Sequence, residues 1–256
     1  MESCRLSRRG LLDVVLLGAV GLALRPSISG AADLASGHRP RIATPNLAED
    51  PIAVPVRVSV EHPMEPGHFI ESLDIVLATD PVPRKGTFRF TPANGRAEVA
   101  FPMRSGVGGL LEVTATCSRH GRFVGTRELR VAGDGCAVDL ETPAKNRARH
   151  PKLRVTDTPW GRGVVEVLAR LDHESDTGLR SIGGKYVRVR PEFFLRQMRV
   201  YLGRRMVSDF RFTSALSPSP IIRFPLKITG EQRLRVVFLN SEGRQWEATQ
   251  LIRPPA

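Results

Sequence analysis

Strict alternation of apolar and polar residues, restarted after every few residues by a turn, limits this chain to one kind of architecture. In "VPVRVSV", Val54, Val56, Val58 and Val60 share one face, while Pro55, Arg57 and Ser59 share the other. A period of two residues is that of a half-buried strand. The pattern returns in "SLDIVLA" (Leu73, Ile75, Leu77), "TFRFTPA" (Phe88, Phe90), "AEVAFPM" (Val99, Phe101), "LEVTATC" (Leu111, Val113, Ala115, Cys117) and "RFVGTRELRVA". Pro66-Gly67, Asn94-Gly95 and His120-Gly121 punctuate these runs, a spacing that predicts a β-sandwich rather than helices.

The second half repeats the plan. "VEVLARLDHESDTG" answers "VPVRVSVEHPMEPG" and aligns His173 with His62; "DFRFTSA" answers "TFRFTPA" and aligns Phe210 and Phe212 with Phe88 and Phe90; "IRFPLK" answers "VAFPMR". Between them, "DLETPAKNRARHPK" is polar, charged and poor in apolar residues, as a connector should be. The expected organisation is all-β, two sandwiches in tandem, over residues 40–139 and 151–256 with a linker at 140–150.

The first 32 residues stand apart. Arg8 and Arg9 precede an apolar stretch from Leu11 to Leu24, diluted by Asp13 and Gly18, and small residues follow up to Ala31 and Ala32. This is the layout of a twin-arginine-type export signal. About 14 apolar-biased residues fall short of the roughly 20 that span a bilayer, so the expectation is a periplasmic protein with no membrane insertion of the mature chain. Losing Met1 to Ala31 removes Arg5, Arg8, Arg9 and Arg25 together with Glu2 and Asp13, which takes the formal charge from +12 to +10. Without a recognition motif that basicity does not point to nucleic acid. It fits an acidic protein partner or an anionic surface better.

Two cysteines remain beyond the signal. Cys117 follows the apolar parity of Val113 and Ala115 and is expected to be a buried small hydrophobe. Cys136, in "VAGDGCAVDLETP", sits after the last strand of the first half, behind Gly133 and Gly135, where solvent access is expected. A disulfide between the two, or an inert surface thiol at 136, are the alternatives. Asp134 and Asp139 flank Cys136 and work against an acidic thiol. "HPMEPGH" contains His62, Met64 and His68, which suit copper in an exported protein. Its Pro63, Pro66 and Gly67 make it a turn, and "HESDTG" lacks the methionine, so the expectation is no metal site. "SGVGGL", Ser105 to Leu110, is expected to be a loop. The basic run Lys185 to Arg205, which interleaves arginines with Tyr186, Phe193, Phe194 and Tyr201, is either a solvated strand face or a docking surface. No catalytic residues and no cofactor are expected, since no triad, ligand spacing or paired thiol motif is present.

"VPVRVSVEHPMEPGHFIESLDIVLATDPVPRKGTFRFTPANGRAEVAFPMR" followed by "RELRVAGDGC" resembles the SoxY subunit of the sulfur-oxidation carrier, and "DHESDTGLR" through "EGRQWEATQLI" resembles its partner SoxZ. Together they are similar to a fused SoxYZ, and more closely to the SoxYZ-like carriers associated with quinoprotein dehydrogenases. The resemblance implies two immunoglobulin-like β-sandwiches that pair within the chain. It implies a carrier cysteine, here Cys136, on a flexible arm, here Gly133 and Gly135, that holds sulfur intermediates such as those from thiosulfate. The implied partners are periplasmic sulfur-oxidation or quinoprotein dehydrogenase-linked redox proteins. Where that family has a Gly-Gly-Cys-Gly-Gly tail, this chain has Asp134 before the cysteine and Ala137-Val138 after it, and continues into the second half. The competing function is an exported binding module that docks a redox enzyme, with Cys136 incidental.

Overall fold

A computed structural model describes residues 37–137, 150–161 and 163–254. The segment expected to be an export signal (1–32) and nearly all of the expected linker (140–150) lie outside them. The first half contains β1 (Arg41–Ala43), β2 (Leu47–Ala48), β3 (Val54–Val60), β4 (Ile70–Leu77), β5 (Arg84–Arg89), β6 (Ala97–Met103), β7 (Gly109–Cys117) and β8 (Gly121–Val131). The second contains β9 (Lys152–Asp157), β10 (Val164–Arg170), β11 (Leu179–Ile182), β12 (Lys185–Arg188), β13 (Leu195–Leu202), β14 (Arg205–Phe212), β15 (Ile221–Lys227), β16 (Gln232–Asn240) and β17 (Gln245–Ile252).

The strands follow the alternation. Val54, Val56, Val58 and Val60 are buried along β3 while Pro55 is exposed, and Leu73, Ile75 and Leu77 are buried along β4. Turning one face inward and the other to water is how an antiparallel sheet shares in a sandwich. The architecture is that of two β-sandwich domains in tandem, immunoglobulin-like in kind.

The two sandwiches share their sheets. One sheet runs β1-β3-β6-β15-β10-β9 and the other β17-β16-β13-β14-β5-β4-β7-β8-β2, so each crosses from one half to the other. The crossing strands are the ones that the internal repeat equates: β5 pairs with β14, and β6 with β15. Phe88 stands opposite Phe210 and Ala100 opposite Arg223, so equivalent residues face each other as across a two-fold axis. Pairing these edges removes two unpaired strand edges from each half.

Phe88 and Phe210 meet edge to face with ring centroids 5.4 Å apart, and one apolar cluster runs through both halves. The seam is also hydrogen-bonded. Asn94, fully buried, donates through Nδ2 to Ser208 Oγ (2.9 Å) and to the Pro225 carbonyl (3.1 Å). Arg57 of the first half pairs with Glu166 of the second at 3.2 Å. A buried amide with both protons used favours one register of the two halves, since a slip strands it without partners.

Antiparallel connections give the first sandwich two ends. The β3–β4 and β7–β8 connections meet at one, with His62, His68 and His120. The β4–β5 turn, the β6–β7 loop and the chain after β8 meet at the other, with Asp80, Arg104 and Cys136. The hairpin β11–β12 belongs to neither large sheet and borders this second end, where Ala137 forms a bridge with Leu179.

Candidate functional site

Cys136 is buried, with 0% of its surface exposed, where solvent access had been expected. The correction comes from tertiary structure: the chain leaving β8 passes under the second half instead of projecting from the first. The Cys136 N–H and the Ala137 N–H both donate to Asp134 Oδ1 (2.9 and 3.0 Å), and Gly135 N–H donates to the Ser105 carbonyl (2.9 Å). From above, Arg104 donates through Nη1 to the Gly135 carbonyl (3.0 Å) and through Nη2 to Ser175 of the second half (2.7 Å). Thr177 Oγ1 donates to the Cys136 carbonyl. Backbone on both sides of the thiol is therefore held by side chains from both halves.

The two glycines do different things. Gly133 has φ +100°, a left-handed value that a side chain resists, and it turns the chain out of β8. Gly135 has no such φ, but a Cβ there would overlap the Pro51 carbonyl oxygen. Its role in this conformation is close approach, not freedom.

Beneath the thiol lies a fully buried ion pair. Lys85 Nζ contacts Asp80 Oδ2 at 2.5 Å and donates to the Arg104 carbonyl at 3.1 Å, and both charged side chains have no exposure. Asp80 Oδ1 accepts from Ser105 Oγ, Gly106 N–H and Val107 N–H. Thus "SGVGGL" is a loop as expected, organised around a buried carboxylate. Removing either partner of this pair would leave an uncompensated charge with no access to water. Burial pushes the Cys136 thiol up to about 12; Lys85 and Arg104 pull it down, Asp80 and Asp134 push it further up. The resting group is a protonated thiol.

Both cysteines are free. Cys117 is 4% exposed at the opposite end of the sandwich, in the core position that its parity indicated. Tyr186, Arg188 and Arg190 of the basic run border the Cys136 end: Arg190 pairs with Asp176 at 2.6 Å and Arg188 donates to the Thr177 carbonyl. That run is thus partly structural, and Tyr201 carries Arg235 4.2 Å above its ring.

The other end differs from its expectation. "HPMEPGH" does form a turn, closed by backbone hydrogen bonds between Glu65 and His68. His62 and His68 nevertheless meet three residues from elsewhere, and the ligand atoms of His38, His62, His68, Cys117 and His120 all lie within 4.8 Å of one another. Sequence reasoning had His62 and His68 but not the other three, which join only because Cys117 ends β7, His120 lies in the next turn and His38 precedes β1. Burial, assisted by the neighbouring imidazoles, holds His62 below the ordinary histidine range.

A thiol buried at the end of one β-sandwich and walled in by a second is the arrangement that characterises this type of chain. Profiles of two families identify the type: "Sulfur oxidation protein SoxY" matches residues 26–136, ending on Cys136, and "Sulphur oxidation protein SoxZ" matches residues 156–250, so the chain belongs to the SoxYZ carriers with both domains fused. It is accordingly a sulfur-oxidation carrier and not a catalytic enzyme. A search of curated proteins finds no match. Among solved structures, the superoxide reductase (neelaredoxin) of Ignicoccus hospitalis aligns at 28% identity over 42% of this chain and 88% of its own, with a TM-score of 0.35. Bovine butyrophilin aligns at 12% identity over 85% of this chain and 99% of its own, with a TM-score of 0.24. Superpositions this loose carry no conclusion about the chain.

Proposed function

We propose that this protein is a periplasmic covalent carrier, exported by its twin-arginine-type signal, that holds a sulfur-containing intermediate on Cys136 and presents it to partner oxidation enzymes. The observation that carries the proposal is Cys136 itself. It is the last residue of the SoxY match, and a built pocket from both halves encloses it. Loading a sulfur oxyanion such as thiosulfate onto a thiol forms an S–S bond, releases the thiol proton and passes two electrons to a partner redox protein. The bound group is anionic, and Lys85 and Arg104 are the cations whose charge reaches the sulfur.

Two states are required. In the stowed state, burial keeps the thiol protonated, which suppresses adventitious oxidation because the thiolate is the reactive form. In the delivery state, the segment from Gly133 leaves the pocket, which breaks the hydrogen bonds from Gly135 N–H to Ser105, from Arg104 to Gly135 and from Thr177 to Cys136. The second half acts as the counter-wall of the stowed state, and fusion keeps it at high effective concentration. Quinoprotein dehydrogenase-linked proteins, among the periplasmic redox partners, are the ones that this fused form suggests.

Intact-mass measurement on protein purified without reductant from its native host tests the proposal. An adduct localised to Cys136, absent from a folded Cys136→Ser variant that no longer supports sulfur oxidation, is the expected result. A persistently bare thiol, together with a Cys136→Ser variant of full function, would instead favour the docking-module function.

A further inference from the structure

The four imidazoles and one thiol opposite the Cys136 end form a closed figure. His62 Nε2 lies 3.0 Å from His68 Nε2, His68 Nε2 lies 3.2 Å from His120 Nδ1, and His120 Nδ1 lies 2.9 Å from His38 Nε2. The rings of His38 and His62 complete the circuit with centroids 4.4 Å apart. Hydrogen bonds do not account for it. A ring nitrogen has one in-plane site, a proton or a lone pair. His68 Nε2 faces two nitrogens at once, and so does His120 Nδ1. Four such sites converging on one point are the donor set of a cation.

The dimensions agree. A square of nitrogens with edges of this length has its centre about 2.1 Å from each corner, and imidazole–metal bonds run about 2.0–2.1 Å. Cys117 Sγ lies 3.8 Å from His62 Nε2 and 3.9 Å from His120 Nδ1, the two opposite corners of that square. A point equidistant from opposite corners lies in the plane that bisects their diagonal, and because Sγ is also within 4.8 Å of the His38 and His68 nitrogens it sits above the square rather than in it, on the apical side. The surroundings are those of a ligand set: His62 Nδ1 contacts the Pro63 carbonyl at 2.5 Å, which orients the ring and directs Nε2 inward, and Arg119 N–H reaches Cys117 Sγ at 3.5 Å.

The second half shows that the fold does not need these groups. His173 answers His62, but Phe193 stands where His68 does, its Asp176 bridge matching the Glu65–His68 bridge, and Asn240 approaches His173 Nε2 at 3.4 Å where Cys117 approaches His62. The sandwich closes with an aromatic ring and an amide at those positions.

We infer that His38, His62, His68 and His120 form the equatorial plane, and Cys117 the apex, of a mononuclear site for a divalent first-row transition metal. Five ligands in a square pyramid suit iron(II) or copper(II) better than zinc, which favours four ligands in a tetrahedron. One octahedral position, opposite the sulfur, is left for water or an exchangeable small ligand. The site is separate from Cys136 and does not depend on the carrier function.

The test is metal titration of the full chain with iron(II) under anaerobic conditions, copper(II) and zinc(II). One iron or copper ion per chain is expected, and the iron (after oxidation) or copper form shows a thiolate-to-metal charge-transfer band that is lost in Cys117→Ser and kept in Cys136→Ser. His68→Gln and His120→Gln, at a half-buried and an exposed position where folding is little at risk, weaken binding by more than the roughly 10–100-fold expected for loss of a supporting outer partner. Binding that ignores both histidine substitutions overturns the inference, as does zinc as the tightest ion or the absence of a Cys117-dependent band in both the iron and the copper forms.

Discussion

His62 and His173 occupy the same place in two copies of one fold, each following an equivalent strand, yet their surroundings are opposite. Around His62 are three more imidazoles and a thiol. Around His173 are Phe193, stacked with centroids 4.7 Å apart, Trp246 at 5.6 Å and the Asn240 amide. Burial drives His173 down to about 4, so it is neutral and structural at any ordinary pH. A repeated sequence thus preserves the sandwich and frees the end of each copy to specialise, because the strands, not the connections, carry the packing. Within the first half the same contrast separates two buried cysteines: Cys117 sits among ligands at one end, Cys136 in a wall of hydrogen bonds at the other.

The most severe way to break the comparison is to give the first half the residues of the second. His68→Phe with Cys117→Asn should abolish specific metal uptake while the protein stays folded, checked by titration alongside circular dichroism. Retained uptake at one ion per chain would show that the two ends are chemically alike. The next largest effect concerns the stowed thiol. With Cys136 near 12 against an ordinary value of 9.0, its thiolate fraction at neutral pH falls by about 10³-fold. Alkylation mapped by mass spectrometry should therefore be at least about 10³-fold slower at Cys136 in the native protein than in urea. A native rate near the unfolded one would mean that the segment is open at rest.

His173 provides a pH-dependent difference. Its folded pKa, about 4, lies below the unfolded value of 6.5, so the unfolded chain binds more protons between them. The stabilisation from a neutral His173 is complete above pH 6.5 and is lost as pH falls toward 4, amounting at most to about 3 kcal/mol. Denaturant melts of the wild type and His173→Leu should draw together by this amount on acidification; a constant gap would contradict it. The smallest effect is expected at Gly135→Ala. Its Cβ meets the Pro51 carbonyl, which forces the backbone to shift at a cost of about 1–3 kcal/mol. The loss should show in the melting midpoint and be accompanied by faster alkylation of Cys136.

Much of the fold was legible in the sequence because alternation is a local property. Val54 to Val60, Leu73 to Leu77 and Phe88 to Phe90 are buried as their parity required. Cys117 was legible for the same reason. Cys136 was identifiable as the distinctive thiol, but its burial was not, because Thr177, Ser175 and Arg104 reach it only after the halves come together. The histidine cluster was half visible: "HPMEPGH" placed His62 and His68 in one turn, whereas nothing near them in the chain announced His38, Cys117 or His120.

From the sequence alone came the strands, the duplication and the lone thiol after the last strand of the first half, all set by residue type and short-range spacing. Tertiary structure decided that both sheets run through both halves, that Cys136 is enclosed by the second, and that five residues spread over 38–120 meet within 4.8 Å. The physical reason is the antiparallel sandwich itself. It returns the chain to the same end every second strand, so connections distant in sequence become neighbours only once the sheets are stacked.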